Sequence, residues 1–106
     1  MRPEDLGFLG LMRRAGKLAA GEEGVRQAVR AGKAKLILLA SDASSNAQKR
    51  AEDFSVRARV PLLVMQENKA TLGNAAGVAG GVMFAVCDEG FAASLQKKLQ
   101  TEKPSE

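Results

Sequence analysis

Leu36-Ile37-Leu38-Leu39-Ala40 is an unbroken apolar run, and Asp42-Ala43-Ser44-Ser45-Asn46 follows it almost at once. The run has the length of a strand, and its lack of alternation marks a strand covered on both faces. The next five residues are dense in turn and capping types. Ser45 with Gln48 fits a capping box, which opens a helix over about 46–58 with Ala47, Ala51, Phe54 and Ala58 inward. A doubly covered strand that feeds a helix is the unit of an α/β fold.

The pattern continues in both directions. Upstream, Leu6, Phe8, Leu9, Leu11, Met12 and Ala15 recur at helical spacing over 3–14, Pro3 suits a first turn, and Gly16 stops the helix. Lys17-Leu18-Ala19-Ala20 reads as a short connector or a brief strand. Residues 22–31 form a second helix with Val25, Ala28 and Val29 buried, closed by Gly32. Downstream, Leu62-Leu63-Val64-Met65 is a short apolar run after Pro61. Asn68 caps a fourth helix that ends near Gly77, Val82–Cys87 is a buried strand, and Asp88 caps a last helix carrying Phe91, Ala92, Leu95 and Leu99. Strands separated by helices require crossover connections, hence a parallel or mixed sheet with helices on both faces. The expected fold is a three-layer α/β/α sandwich. It occupies 1–100 as one domain, with a polar, flexible tail over 101–106.

Charge is distributed unevenly. Residues 1–50 hold ten Lys and Arg against five Asp and Glu, a net of +5, while residues 51–106 hold six against seven, a net of −1. A basic half suits a polyanionic partner, and a solvated surface is the plainer reading. With four Phe and neither Trp nor Tyr, the chain offers no aromatic platform for stacking single-stranded bases. Histidine is absent and Cys87 is the single cysteine, so the commonest general base, a disulfide and a cysteine-based zinc site are all unsupported. Gly21 is followed by Glu22-Glu23 where a phosphate loop needs Gly-Lys-Ser/Thr, and Gly77-Val78-Ala79-Gly80-Gly81 precedes a strand where a dinucleotide fingerprint follows one. Asp42 and Asp88 are read as capping carboxylates, and Cys87 as an inert core residue. No enzyme and no cofactor are expected. With no long apolar stretch and acidic residues at Glu4 and Asp5, a cytoplasmic location away from membranes is expected.

The segment Gly21-Glu22-Glu23-Gly24-Val25-Arg26-Gln27 stands apart. It opens a helix, so its first N–H groups lack partners and can meet phosphates or other acceptors. Its carboxylates can accept from a guanine edge, or they merely complement the helix dipole. Lys17, Arg26, Arg30, Lys33 and Lys35 surround it in sequence and can engage a phosphate backbone.

Three stretches then resemble a known family when taken in order: Arg14-Ala15-Gly16-Lys17-Leu18 with Gly21-Glu22-Glu23-Gly24-Val25; Gly32–Ala40 with Asp42–Asn46; and Leu72-Gly73-Asn74-Ala75-Ala76-Gly77 with Asp88-Glu89-Gly90-Phe91-Ala92. To about Leu99 the chain resembles the ribosomal kink-turn-binding superfamily (the L-seven-Ae and L-thirty-e proteins), and above all its bacterial YlxQ-like members. That resemblance implies a four-stranded mixed sheet and binding to kink-turns, sharply bent RNA duplexes recognised by shape and groove edges. The family's recognition pattern is Gly, any residue, Asn, Glu, two residues, Lys. It falls on Gly21, Glu23, Gly24 and Gln27, of which only Gly21 is retained. The resemblance puts a second contact loop before the fourth helix, at Gln66-Glu67-Asn68-Lys69, where Gln66 replaces an apolar residue.

The resulting expectation is a monomer that binds structured, kink-turn-like RNA, such as ribosomal RNA, and not DNA. The interface comprises Gly21, Glu22, Glu23, Gly24 and Gln27, with Lys17, Arg26 and Lys35 on phosphates and Gln66, Glu67, Asn68 and Lys69 as a second lip. The alternative is a protein-interaction module on the same fold.

Overall fold

The run Leu36–Leu39 forms a strand, β2, and all four of its side chains are buried. It lies at the centre of a computed structural model that describes residues 3–78 and 81–102, with side chains described for 6–78 and 81–98. The remaining elements are α1 (Pro3–Arg14), β1 (Leu18–Ala20), α2 (Gly21–Arg30), α3 (Ser45–Ala58), β3 (Leu62–Val64), α4 (Lys69–Ala76), β4 (Met83–Val86) and α5 (Glu89–Glu102). The residues 17–20 therefore include a strand. The expected tail at 101–106 overlaps the last two residues of α5, and 103–106 lie outside the described residues. So does the side chain of Leu99.

The sheet order is β1-β4-β2-β3. Strand β4 runs antiparallel to both of its neighbours, with Ile37 opposite Ala85 and Ala19 opposite the same residue on the other side. Strand β3 joins β2 in parallel, with Leu38 opposite Leu63. The sheet is four-stranded and mixed.

Alternate residues of the two central strands point to opposite faces. Leu36, Leu38, Phe84 and Val86 meet Leu9 and Met12 of α1, Leu72 and Ala76 of α4, and Ala92 and Leu95 of α5. Ile37, Leu39, Met83 and Ala85 meet Val25 and Ala28 of α2 and Ala47, Ala51 and Phe54 of α3. This is the three-layer sandwich. Phe8 and Phe91 pack edge to face at 5.3 Å and join α1 to α5.

One local expectation is corrected. The cap of α3 is Ser44, whose hydroxyl accepts from the Ala47 N–H at 3.1 Å, and Ser45 is the first helical residue. Gln48 does not close a box on the capping residue, because its amide donates instead to the Ala43 carbonyl at 3.0 Å. The reason is the burial of Ala43 and Ala47, which fixes the helix start one residue earlier than the serine–glutamine spacing suggests. Elsewhere the caps agree with the sequence: Asn68 accepts from Thr71 N–H and Asp88 from Phe91 N–H, each at 2.9 Å.

The register defines two ends of the sheet. At one end lie Ala20, Val82, Ala40 and Met65, tied by Ala40 N–H to Val82 O and Met65 N–H to Leu39 O, both 2.8 Å. At the other lie Lys17, Lys35 and Cys87, tied by Cys87 N–H to Lys17 O and Lys35 N–H to Val86 O, also 2.8 Å.

Thermal unfolding checks the cap. Ser44→Ala should lower stability by about 1 kcal/mol, and Ser45→Ala should stay within about 0.5 kcal/mol of the parent.

Candidate nucleic-acid interface

Helix α2 begins where β1 stops, with no intervening loop. Its cap position is Ala20, which has no side chain able to bond the first-turn N–H groups. Gly21 makes the abrupt turn at φ +81, a left-handed backbone that side chains with a Cβ resist. The outcome is a helix start whose first-turn N–H groups receive no side-chain cap, at the first end of the sheet.

The charged side chains around that helix start are already engaged with one another. Arg26 places one nitrogen 3.0 Å from Glu22 and the other 2.6 Å from Glu23, as residues four and three apart on a helix can. Arg50 of α3 reaches the second Glu22 oxygen at 3.2 Å. Gln27 donates to Glu23 at 3.4 Å. The Arg26 guanidinium also lies over the Phe54 ring, 5.8 Å from its centroid. Two arginines therefore offset two glutamates, and the cluster as a whole is close to neutral. Glu22 is the more enclosed carboxylate at 32% exposure, and Glu23 is open at 65%. Glu23 is thus an acceptor held at a fixed place and open to donors from outside. Arg26 spends two of its five N–H donors on the glutamates, so any phosphate it meets finds its charge already offset by two carboxylates.

The second lip reaches the same end of the sheet. The Glu67 carbonyl accepts from Ser41 N–H at 2.9 Å, and Asp42 accepts from Lys69 N–H at 2.9 Å. Asp42 is a capping carboxylate, but it caps α4 from across the fold and not the helix that follows it. The Asn68 side chain is spent on its cap, which leaves Gln66 and Lys69 as the lip's exposed side chains alongside the half-buried Glu67. The structure thus brings Gly21, Glu22, Glu23, Gly24, Arg26 and Gln27 to the same sheet end as residues 66–69.

Lys17 and Lys35 do not join them. Lys17 precedes β1 and Lys35 precedes β2, so both stand at the opposite end of the sheet. Three strand residues at ~3.3 Å each separate Lys17 from Gly21. The ten residues of α2, ~15 Å at the helical rise, separate the helix start from the segment leading to Lys35. Proximity in sequence is not proximity in space here. Cys87 shares that far end and is half-buried, with its thiol facing the Ala85 carbonyl at 3.7 Å. Burial pushes its pKa up, while a backbone hydrogen bond at Ala19 and the charges of Lys33, Lys17 and Lys35 pull against that rise. Sequence reading missed Arg50 and Phe54 as members of the α2 cluster, since both come from a different helix. Among the described residues no group of three or more His, Cys, Asp and Glu is placed to hold a metal ion, and no helix is long and apolar enough to cross a membrane.

Residues 7–96 match the Ribosomal protein L7Ae/L30e/S12e/Gadd45 family. The chain belongs to this family. It is 42% identical over 88 residues to a Bacillus subtilis (strain 168) protein named RNA-binding protein YlxQ, across 83% of this chain and 87% of that one. It is 33% identical over 99 residues to the Enterococcus faecium protein of the same name, across 93% and 94%. A solved structure of a Bacillus halodurans protein of unknown function superposes with a TM-score of 0.81 at 36% identity, across 90% of this chain and 95% of that one. The Giardia lamblia 15.5kD RNA binding protein shares the fold, with a TM-score of 0.70 at 19% identity, across 92% and 86%.

Two glycines of the helix start respond in opposite directions to alanine. Gly21→Ala forces a Cβ into the left-handed region and should cost about 1–2 kcal/mol in urea or thermal unfolding. A Cβ at Gly24 meets Ala19 at an ordinary 3.7 Å, so Gly24→Ala should stabilise the helix by about 0.5–1 kcal/mol. The thiol gives a further check. Because burial raises its pKa, alkylation of Cys87 followed against pH should rise at a higher pH than for a free thiol.

Proposed function

We propose that the chain is an RNA-binding protein that recognises a sharply bent, kink-turn-like duplex through the sheet end carrying the start of α2 and residues 66–69. The observation that carries this reading is the convergence of an uncapped helix N-terminus, a preset Glu23 carboxylate and a second lip on one edge. Sheared G·A pairs in a bent duplex turn guanine donors toward a groove, and the exposed Glu23 carboxylate, held by Arg26 and Gln27, is an acceptor that suits such donors. Gly21 opens the helix with no side chain of its own beside the uncapped first-turn N–H groups, while Gly24 lets the helix lie close to Ala19 of β1. Gln66 and Lys69 close on the other side of the bend. The names of the YlxQ relatives support RNA as the partner class, and family membership supports structured RNA.

The electrostatics define the manner of binding. An edge whose glutamates and arginines offset one another attracts phosphates weakly at long range, so discrimination rests on shape and on base edges. Gln27 takes the place of a cation, which lowers the phosphate share of the affinity further. The reading is of a protein acting as a monomer in the cytoplasm on ribosomal or another structured RNA, without catalysis.

A gel-shift titration of a kink-turn duplex and a straight duplex of equal length, at two salt concentrations, tests this. The bent duplex should bind more tightly at both. Gln27→Lys should tighten binding to the bent duplex and steepen the log–log salt dependence by roughly one. Equal affinity for the two duplexes would refute recognition of the bend. Binding to neither would point to a protein partner on this fold.

A further inference from the structure

The end of the sheet opposite the start of α2 presents Lys17, Lys33 and Lys35 around the end of β4. We propose that these three lysines form a second phosphate-binding surface, which takes the backbone of an RNA duplex while the α2 edge holds the bent RNA, so that one molecule bridges two RNA segments. The proposal deepens the RNA-binding reading and rests on it for the class of polyanion.

The geometry comes from the strand order. The Lys17 carbonyl and the Lys35 N–H bond the backbone of Cys87 and Val86 from opposite sides, each at 2.8 Å. Two strand spacings therefore separate the two lysines, about 10 Å in all. Lys33 stands two residues before Lys35, and all three ammonium charges act on the Cys87 thiol. None of the three belongs to a helix. That distinguishes them from Arg13, Arg14 and Arg30, which lie in the last turns of α1 and α2, where a helix C-terminus itself favours a cation.

The lysines are also little compensated, in contrast to the arginines of the α2 edge. Lys35 lies 3.8 Å from Glu89, with the lysine partly exposed and the glutamate open to water. A long pair at the surface like this is worth little and yields to a phosphate. Among the described residues Lys17 and Lys33 have no carboxylate within ion-pair distance. The other acid at this end, Asp88, accepts from the Phe91 N–H at the start of α5. Compact ammonium charges on flexible stems, with no guanidinium fork among them, suit backbone contact without base readout. The excess positive charge of residues 1–50 is thus displayed away from the edge that reads the bend.

Cys87 is a built-in reporter for this surface, being the single cysteine and half-buried among the lysines. The experiment follows its alkylation by iodoacetamide in the full chain, free and saturated with bent RNA, while a short straight RNA duplex is added. The straight duplex should slow alkylation in both states, and labelled duplex should be retained by protein already held on immobilised bent RNA. K17E/K33E/K35E should abolish both effects. K33Q alone should lower the salt slope of duplex retention by roughly one and leave the affinity for bent RNA unchanged, which keeps the test decisive if the triple variant fails to fold. No slowing by the duplex would overturn the proposal. So would a parallel loss of bent-RNA affinity in K33Q, which would make the two ends one surface. Equal protection by polyglutamate at the same salt would assign the lysines to an acidic protein and overturn the RNA class. Failure of bent RNA to bind is seen before any duplex is added and bears on the reading above, while the free-protein arm still decides the lysine surface.

Discussion

The antiparallel pairing of β4 between β1 and β2 organises everything else in the molecule. It seats Leu36 opposite Val86 and Leu39 opposite Met83, inside a sheet whose two central strands are buried on both faces. A slip of one residue would exchange the side chains of the two faces and undo both cores at once. The same pairing decides which loops become neighbours. The end of β1, the end of β2 and the beginning of β4 meet on one side, and the end of β3 joins them through its parallel pairing with β2. A helix start, a capping loop and a second lip are thereby gathered from four distant parts of the chain.

Much of this was legible in the sequence because it is local. The apolar run Leu36–Leu39 announced a doubly covered strand. Asn68 and Asp88 cap the helices they precede. The family likeness, read from three dispersed stretches, supplied the four-stranded mixed sheet that apolar runs alone left open between parallel and mixed. Where local signals compete, local reading loses accuracy. Ser44 and Ser45 both satisfy a capping rule, and the burial of Ala43 and Ala47 decides between them.

What escaped the sequence is what depends on pairing across the fold. Arg50 reaches Glu22 from another helix, and Asp42 caps α4 over a separation of 27 residues. Nothing in the neighbourhood of either residue signals its partner. Lys17 and Lys35 illustrate the opposite error. They flank the start of α2 in sequence, yet β1 and α2 carry the chain away from it, and the two lysines stand on either side of β4 at the far end. The charge asymmetry was visible from composition, but its direction relative to the start of α2 was not. The edge proposed for RNA is the nearly neutral one, and Lys17, Lys33 and Lys35 stand opposite it.

Amide shifts of the isotopically labelled protein, followed as bent RNA is titrated in, test the division between these ends most directly. Changes concentrated at Gly21–Gln27 and residues 66–69, with Lys17, Lys33, Lys35 and Cys87 unmoved at one equivalent, are the predicted result. Changes confined to the lysine end, with the start of α2 undisturbed, would contradict the account.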